Sequence, residues 1–245
     1  MSSYGPQMVV GSRLLSLGYV PADAGAVTAL APGGVRLHHE QRAVLTQYVV
    51  DTAIQTSGVG AHSATLIGID LDGGTTDDDT VPPRMWVGAI VSTPQAQDMF
   101  AARGVPTQLG RTTITIRGDA VVALTAIDDV PVVRTVATVG APTVIETGDL
   151  IYVRETPDGV AEDTHPWIAT IANHWELTSL EFTATTGAFE RLRPAEQPTA
   201  SWGLYAPNAA FCYPATANGR LATPGDTHRP AAAPIDPWGG RFRGH

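Results

Sequence analysis

The chain has 245 residues, 43% of them hydrophobic and 16% charged, which suffices for a sizeable packed domain and excludes disorder along the whole length. A formal net charge of -9, a pI near 5.1 and arginines scattered without a basic stripe argue against nucleic acid as a partner. No run approaches the roughly 20 apolar residues of a membrane helix, and Met1 to Gly11 lacks a signal-peptide pattern, so the expectation is a cytoplasmic protein with no membrane partner.

Residues 1–20 carry turn formers and short apolar pieces, Met8 to Val10 and Leu14 to Leu17, and read as a segment lying against the domain. Ala22 to Leu30 reads as a short helix stopped by Pro32-Gly33-Gly34. Ala43 to Gln55 is rich in β-branched and aromatic residues and predicts one long strand, with Gln47, Val49, Asp51 and Gln55 on one face and Tyr48, Val50 and Ile54 on the other. Thr65 to Asp70 predicts a further strand, followed by the acidic stretch Asp72 to Asp79. That stretch lacks the alternating oxygens, central glycine and distal Glu of a calcium loop, so a solvated turn is expected and no metal.

Met85 to Val91 predicts a strand and Thr93 to Arg103 a helix, with Thr93 as N-cap and Gly104-Val105-Pro106 as the stop. Repeated strands follow: Thr113 to Arg117, Ala120 to Ile127, Val130 to Val139, Thr143 to Ile145 and Leu150 to Arg154. Gly118-Asp119 and Asp128-Asp129 have hairpin-turn chemistry, which makes a meander the simple reading. Trp167 to His174, Thr178 to Thr185 and Gly203 to Tyr213 complete the strands. The expected organisation is therefore one domain over 21–214, mainly β with short helices (α+β), and an extended Pro/Gly/Ala/Arg-rich tail over 215–245.

All fifteen basic residues are arginine and lysine is absent, a bias that a GC-rich genome of the actinobacterial kind produces. Only the N-terminal amine remains to form an imine, which excludes Schiff-base chemistry through a lysine. Cys212, the single cysteine, has no internal disulfide partner and reads as a small buried hydrophobe.

The run Gly104 to Gly110, then Thr113 to Leu124 and Val133 to Gly140, resembles the acetoacetate decarboxylase family, in which a helix ends in a Pro-Lys-Lys-Leu segment and leads into a β-meander. The helix at Ala22 to Pro32, the strand and glycine turn over Gln47 to Gly60, and Trp175 to Phe182 match its other pieces in order, covering residues 20–213. The resemblance implies a closed, cone-shaped β-barrel with a mostly apolar internal pocket, assembled into a homo-oligomer. Thr107 and Gln108 stand where the family carries its two lysines, and Val49 and a position near Ala64 stand where it carries glutamates. Its Gly-Arg-Glu is missing from Met99-Phe100-Ala101.

Stripped of lysines and carboxylates, such a pocket suits a hydrophobic small-molecule substrate without a cofactor. One expectation is a cyclase of natural-product metabolism that folds a polyketide-like chain for a non-covalent, cycloaddition-type ring closure, because holding the reactive conformer can supply up to roughly 7–11 kcal/mol. Thr107 and Gln108 would donate to a substrate carbonyl or else merely end the helix. Asp51 would be a raised-pKa acid if buried, or a structural acceptor, with Gln47 and Gln55 on its face. His174 and Glu176, two apart on a strand, would form an acid/base pair or serve structure. Tyr48 and Trp86 would line the pocket or fill the core, and Arg111 and Arg134 would bind a carboxylate or enolate or lie on the surface. An acid/base lyase, dehydratase or hydrolase and a non-catalytic binding protein remain the alternatives.

Overall fold

The computed structural model describes residues 5–72, 81–156 and 159–215. Among them run β1 (Gln7–Tyr19), α1 (Ala24–Leu30), β2 (Ala43–Val50), a 3-10 turn (Ala53–Gln55), β3 (His62–Asp70), β4 (Arg84–Val91), α2 (Pro94–Ala101) and β5 (Thr107–Leu109). Then come β6 (Arg111–Arg117), β7 (Ala120–Ile127), β8 (Val130–Val139), β9 (Pro142–Thr156), β10 (Gly159–Ala172), β11 (Trp175–Phe182), α3 (Gly187–Arg191) and β12 (Ala200–Tyr213). The acidic stretch over 73–80 and the tail beyond 215 lie outside the described residues.

Seven strands close into a barrel in the order β4-β3-β2-β1-β12-β10-β9 and back to β4. All neighbours pair antiparallel except at the seam, where β4 and β9 run parallel and share one register pair, Arg84 opposite Tyr152. A second, four-stranded sheet in the order β11-β8-β7-β6 contains the first three strands of the expected meander and packs on the outside of the barrel, whereas the pieces expected over Thr143 to Ile145 and Leu150 to Arg154 belong to the barrel as β9. Its β7–β8 turn is built on Asp128 and Asp129 at φ 49° and 63°, the left-handed pair that a two-residue hairpin requires and that Asp tolerates.

The period of two along each strand divides the core in two. On β1 and β2, Leu15, Leu17, Tyr19, Ala43 and Leu45 face outward and join Val121, Val132, Val133, Leu180 and Phe182 of the second sheet. Val44, Tyr48 and Val50 face the barrel interior with Leu66, Ala89, Phe100 and Tyr213. Polar residues also enter the interface between sheets, and a central group of them is mutually paired. Gln47 donates to Thr125 Oγ1 at 3.0 Å and accepts from Thr135 Oγ1 at 2.7 Å, while Thr65 Oγ1 reaches Thr112 at 2.7 Å and Thr125 at 2.5 Å.

The structure departs from the sequence expectation in several elements. Residues 7–19 form a barrel strand between β2 and β12, not a segment lying against the domain. The long strand expected over Ala43 to Gln55 ends at Val50, because Thr52 and Gln55 form a capping box that winds Ala53–Gln55 into a 3-10 turn. Asp51 and Gln55 therefore leave the face they were expected to share with Gln47. The expected pieces Thr143 to Ile145 and Leu150 to Arg154 are one strand, β9. Its partner β10 begins well before Trp167, since Pro166 stands beyond the stretch, Trp167 to Thr170, over which β12 pairs with β10.

Candidate functional site

The barrel interior is hollow. A cavity of roughly 1110 Å³ lies between β1, β2, β3, β4, β9, β10 and β12, and Leu14, Leu66, Trp167, Trp202, Leu204 and Phe211 supply much of its apolar wall. A smaller cavity of roughly 220 Å³ opens where β4 and β9 part, beside Phe100, Arg103 and Val105. Trp86, Tyr152, His165 and Tyr213 line both cavities and form the partition between them.

Local sequence makes these positions. Trp86 stacks on Tyr152 across the seam, centroids 5.0 Å apart, and its indole rests on β3 where a Cβ at Gly68 would come within 2.8 Å of it. Gly18 on β1 likewise leaves room for Trp202, whose indole a Cβ there would overlap. The Arg84 guanidinium lies 4.6 Å above the Trp202 ring. Arg84 Nε also sits 3.2 Å from Asp70 Oδ1, and Arg42 Nε stands 3.0 Å from Oδ2, out of line for a hydrogen bond but close enough for an ion pair. Asp70 is fully buried; burial raises its pKa, and the two guanidiniums oppose the rise.

Two buried histidines behave differently. His62 Nδ1 lies 2.9 Å from Gly60 O, and a carbonyl can only accept, so this nitrogen carries the proton. Burial lowers the His62 pKa and keeps the ring neutral, which leaves Nε2 to accept from the Tyr48 hydroxyl at 3.1 Å. Tyr48 in turn accepts from the Tyr213 hydroxyl at 3.3 Å, and burial raises the pKa of both phenols. This directional chain pins the Tyr213 ring. His165 is held instead by aromatic packing, 4.4 Å from Tyr152 and 5.4 Å from Tyr213. It is 5% exposed and makes no hydrogen bond among the described residues, and burial, with help from Arg103, lowers its pKa to about 3.

Of the eleven residues singled out from sequence, the structure brings Tyr48 and Trp86 to the cavities. Gln47 is on the opposite face of β2, consumed by its threonine pairs. Gln55 donates to Gly11 O at 2.7 Å and caps the 3-10 turn. Asp51 is exposed and ion-paired to Arg13 at 2.6 Å, so the burial that a raised-pKa acid needs is lacking. Thr107 spends its hydroxyl on Val105 O at 2.7 Å, and Gln108 is half-buried on β5; neither lines either of the two cavities described above. His174 and Glu176 do point the same way, 4.0 Å apart, but on the surface. Arg111 is exposed, and Arg134 is exposed and paired with Glu181 at 3.0 Å.

The residues that sequence reasoning missed, above all His165, Tyr152, Tyr213 and Trp202, sit on strands whose starts or periods it misjudged. The alternations His165-Trp167-Ala169 and Phe211-Tyr213 would have found the lumen face, had Pro166 not broken the first. For a metal, His38, His39 and Glu40 bring ligand atoms within 4.8 Å of one another, yet Arg42 stands 2.9 Å from His38 Nε2 and 3.1 Å from Glu40, a cation where a cation would have to sit.

Compared with solved structures, the chain matches an acetoacetate decarboxylase with TM-score 0.60 at 14% identity, over 86% of this chain and 88% of that one. The fold is that of acetoacetate decarboxylase. A second acetoacetate decarboxylase, from Legionella pneumophila, matches with TM-score 0.57 at 10% identity over 86% and 85% of the two chains. The enduracididine biosynthesis enzyme MppR, complexed with pyruvate, matches with TM-score 0.56 at 15% identity over 86% and 89%. No protein-family model matches the sequence, and no curated protein does either. On this acetoacetate decarboxylase-like barrel, Thr107 and Gln108 lie outside the lumen and the partition of Trp86, Tyr152, His165 and Tyr213 lies within it. Among the described residues, no helix is long and apolar enough to cross a membrane.

Proposed function

We propose that the protein is an enzyme that takes a flexible, largely apolar substrate into the barrel and promotes a non-covalent intramolecular ring closure, with no imine to lysine. The observation that carries this reading is the roughly 1110 Å³ lumen walled by aromatic side chains in a chain without lysine. Small-molecule sites span about 300–1,000 Å³, so this lumen is scaled to a long chain, far larger than a four-carbon keto acid. A polyene or polyketide-like chain coiled there would lose its conformational freedom on binding, which is the entropy that ring closure otherwise pays in the transition state. The fold is shared with decarboxylases and with MppR, which supports enzymatic use of the scaffold.

The alternative of an acid/base lyase, dehydratase or hydrolase gains nothing from the geometry, because Asp51, His174 and Glu176 are exposed outside the lumen. The test is incubation of the purified protein with linear polyene ketones. The reading expects a product of unchanged mass, a new retention time and loss of the conjugated absorption band. Binding without conversion across such a set would support the non-catalytic alternative, and loss of water or carbon dioxide would support the lyase.

A further inference from the structure

We infer that His165 is the substrate contact of the lumen, and that the substrate carries a carbonyl oxygen which accepts a hydrogen bond from its neutral imidazole. This rests on the reading of the lumen as a substrate chamber and adds which atom recognises the substrate and what chemical group it recognises.

The polar groups that reach the interior differ in whether they have a partner. Tyr48, Tyr213 and His62 are spent on one another, and the chain ends on the Gly60 carbonyl, so the Tyr213 proton is committed to Tyr48. Ser16 and Thr46, which also line the lumen, pair with each other at 2.7 Å. Asp70 is matched by Arg84 and Arg42. The Trp86 and Trp202 indole N–H groups lack a partner too, but both nitrogens are wholly covered by surrounding atoms and present no surface to the lumen. His165 differs from them. Both of its ring nitrogens lack a partner among the described residues, although the ring is 95% removed from solvent and lines both cavities.

A neutral imidazole always carries one N–H and one lone pair, and leaving a buried donor unpaired costs about 1–3 kcal/mol, which a bound acceptor would recover. Packing between Tyr152 and Tyr213 fixes the ring plane without using either nitrogen, so the N–H is oriented before a ligand arrives. With its pKa near 3 the group stays uncharged at neutral pH, and it polarises a carbonyl without transferring a proton. That is the electronic assistance a conjugated system needs for ring closure, and it replaces the role first expected of Thr107 and Gln108.

The test uses the full chain and two matched probes, the linear conjugated ketone undecadienone and the hydrocarbon undecadiene, with affinities read from tryptophan fluorescence. Wild-type protein is expected to bind the ketone roughly fivefold to tenfold more tightly than the hydrocarbon, the worth of about one buried hydrogen bond. The bound ketone should show a red-shifted absorption band and a lowered C=O stretch. In His165→Phe the preference and both spectral shifts vanish while hydrocarbon binding persists, which also shows that the variant is folded. In His165→Asn, whose amide keeps a donor, part of the shift returns. A wild-type protein without preference, or a His165→Phe protein that keeps it, overturns the inference and leaves the lumen reading intact. Failure of wild-type protein to bind either probe overturns the lumen reading, and the inference with it.

Discussion

On the outward face of β2, Gln47 has both ends of its amide engaged by threonines that are themselves fully buried, whereas one residue later Tyr48 turns inward to a space no side chain fills. The two faces use their polar atoms in different ways. Between the sheets Gln47, Thr65, Thr112, Thr125 and Thr135 bond to one another, and the network fixes how the four-stranded sheet docks on the barrel. Inside the barrel the hydrogen-bond chain from Tyr213 to Gly60 rigidifies one wall and leaves His165 with capacity to spare. Polarity on one face belongs to stability, and on the other, under the proposed function, to ligand recognition.

The comparison breaks most directly by filling the lumen. Leu204→Trp adds a bulky ring to the cavity wall and should lower affinity for undecadiene more than tenfold in a fluorescence titration, a loss of over about 1.4 kcal/mol, with a native circular dichroism spectrum. The opposite face is tested by Gln47→Ala, which strands the Thr135 hydroxyl, removes the amide donor to Thr125 and leaves a cavity between the sheets. Urea unfolding should show a loss of about 2–4 kcal/mol with ligand affinity unchanged. If instead Gln47→Ala spoiled binding and Leu204→Trp did not, the assignment of the two faces would be reversed.

A third experiment uses protons. The folded pKa of His165 is about 3 against 6.5 for a free imidazole, so between those values the unfolded chain binds a proton that the folded one refuses. Stability therefore falls as pH drops through this window, by roughly 1.4 kcal/mol per unit for this one group, and His62, shifted in the same direction, adds to the slope. Unfolding midpoints at several pH values should show the decline, and His165→Phe should flatten it. The smallest effect belongs to the surface. Asp51→Asn and Glu176→Gln should each change stability by no more than about 0.5 kcal/mol and leave binding alone, because both carboxylates are exposed.

The fold was largely legible in the sequence, because hairpin turns such as Asp128-Asp129 and β-branched runs such as Val130 to Val139 state their structure locally. The order of motifs from Ala22 to Phe182 carried the resemblance to the acetoacetate decarboxylase fold. The site was much less legible, and Thr107, Gln108, Asp51 and Gln55 show why. Thr107 and Gln108 stand at positions where the decarboxylase family keeps charged groups, and Asp51 and Gln55 share a face with Gln47 only if the strand runs past Val50, where Thr52 and Gln55 cap a turn instead. Which face of β2 looks inward depends on a second sheet far along the chain, and periodicity alone assigns Gln47 and Tyr48 to different faces without saying which is the lumen. His165 was hidden because Pro166 reads as a strand break, yet β10 accepts it beyond its pairing with β12.

The most direct measurement is a crystal structure of the protein soaked with undecadienone. The account predicts the chain density coiled inside the barrel, against Trp167, Trp202 and Phe211, with the ketone oxygen within hydrogen-bond distance of a His165 ring nitrogen. A lumen packed solid by its own side chains, or the ketone bound only on the outer surface, would contradict it.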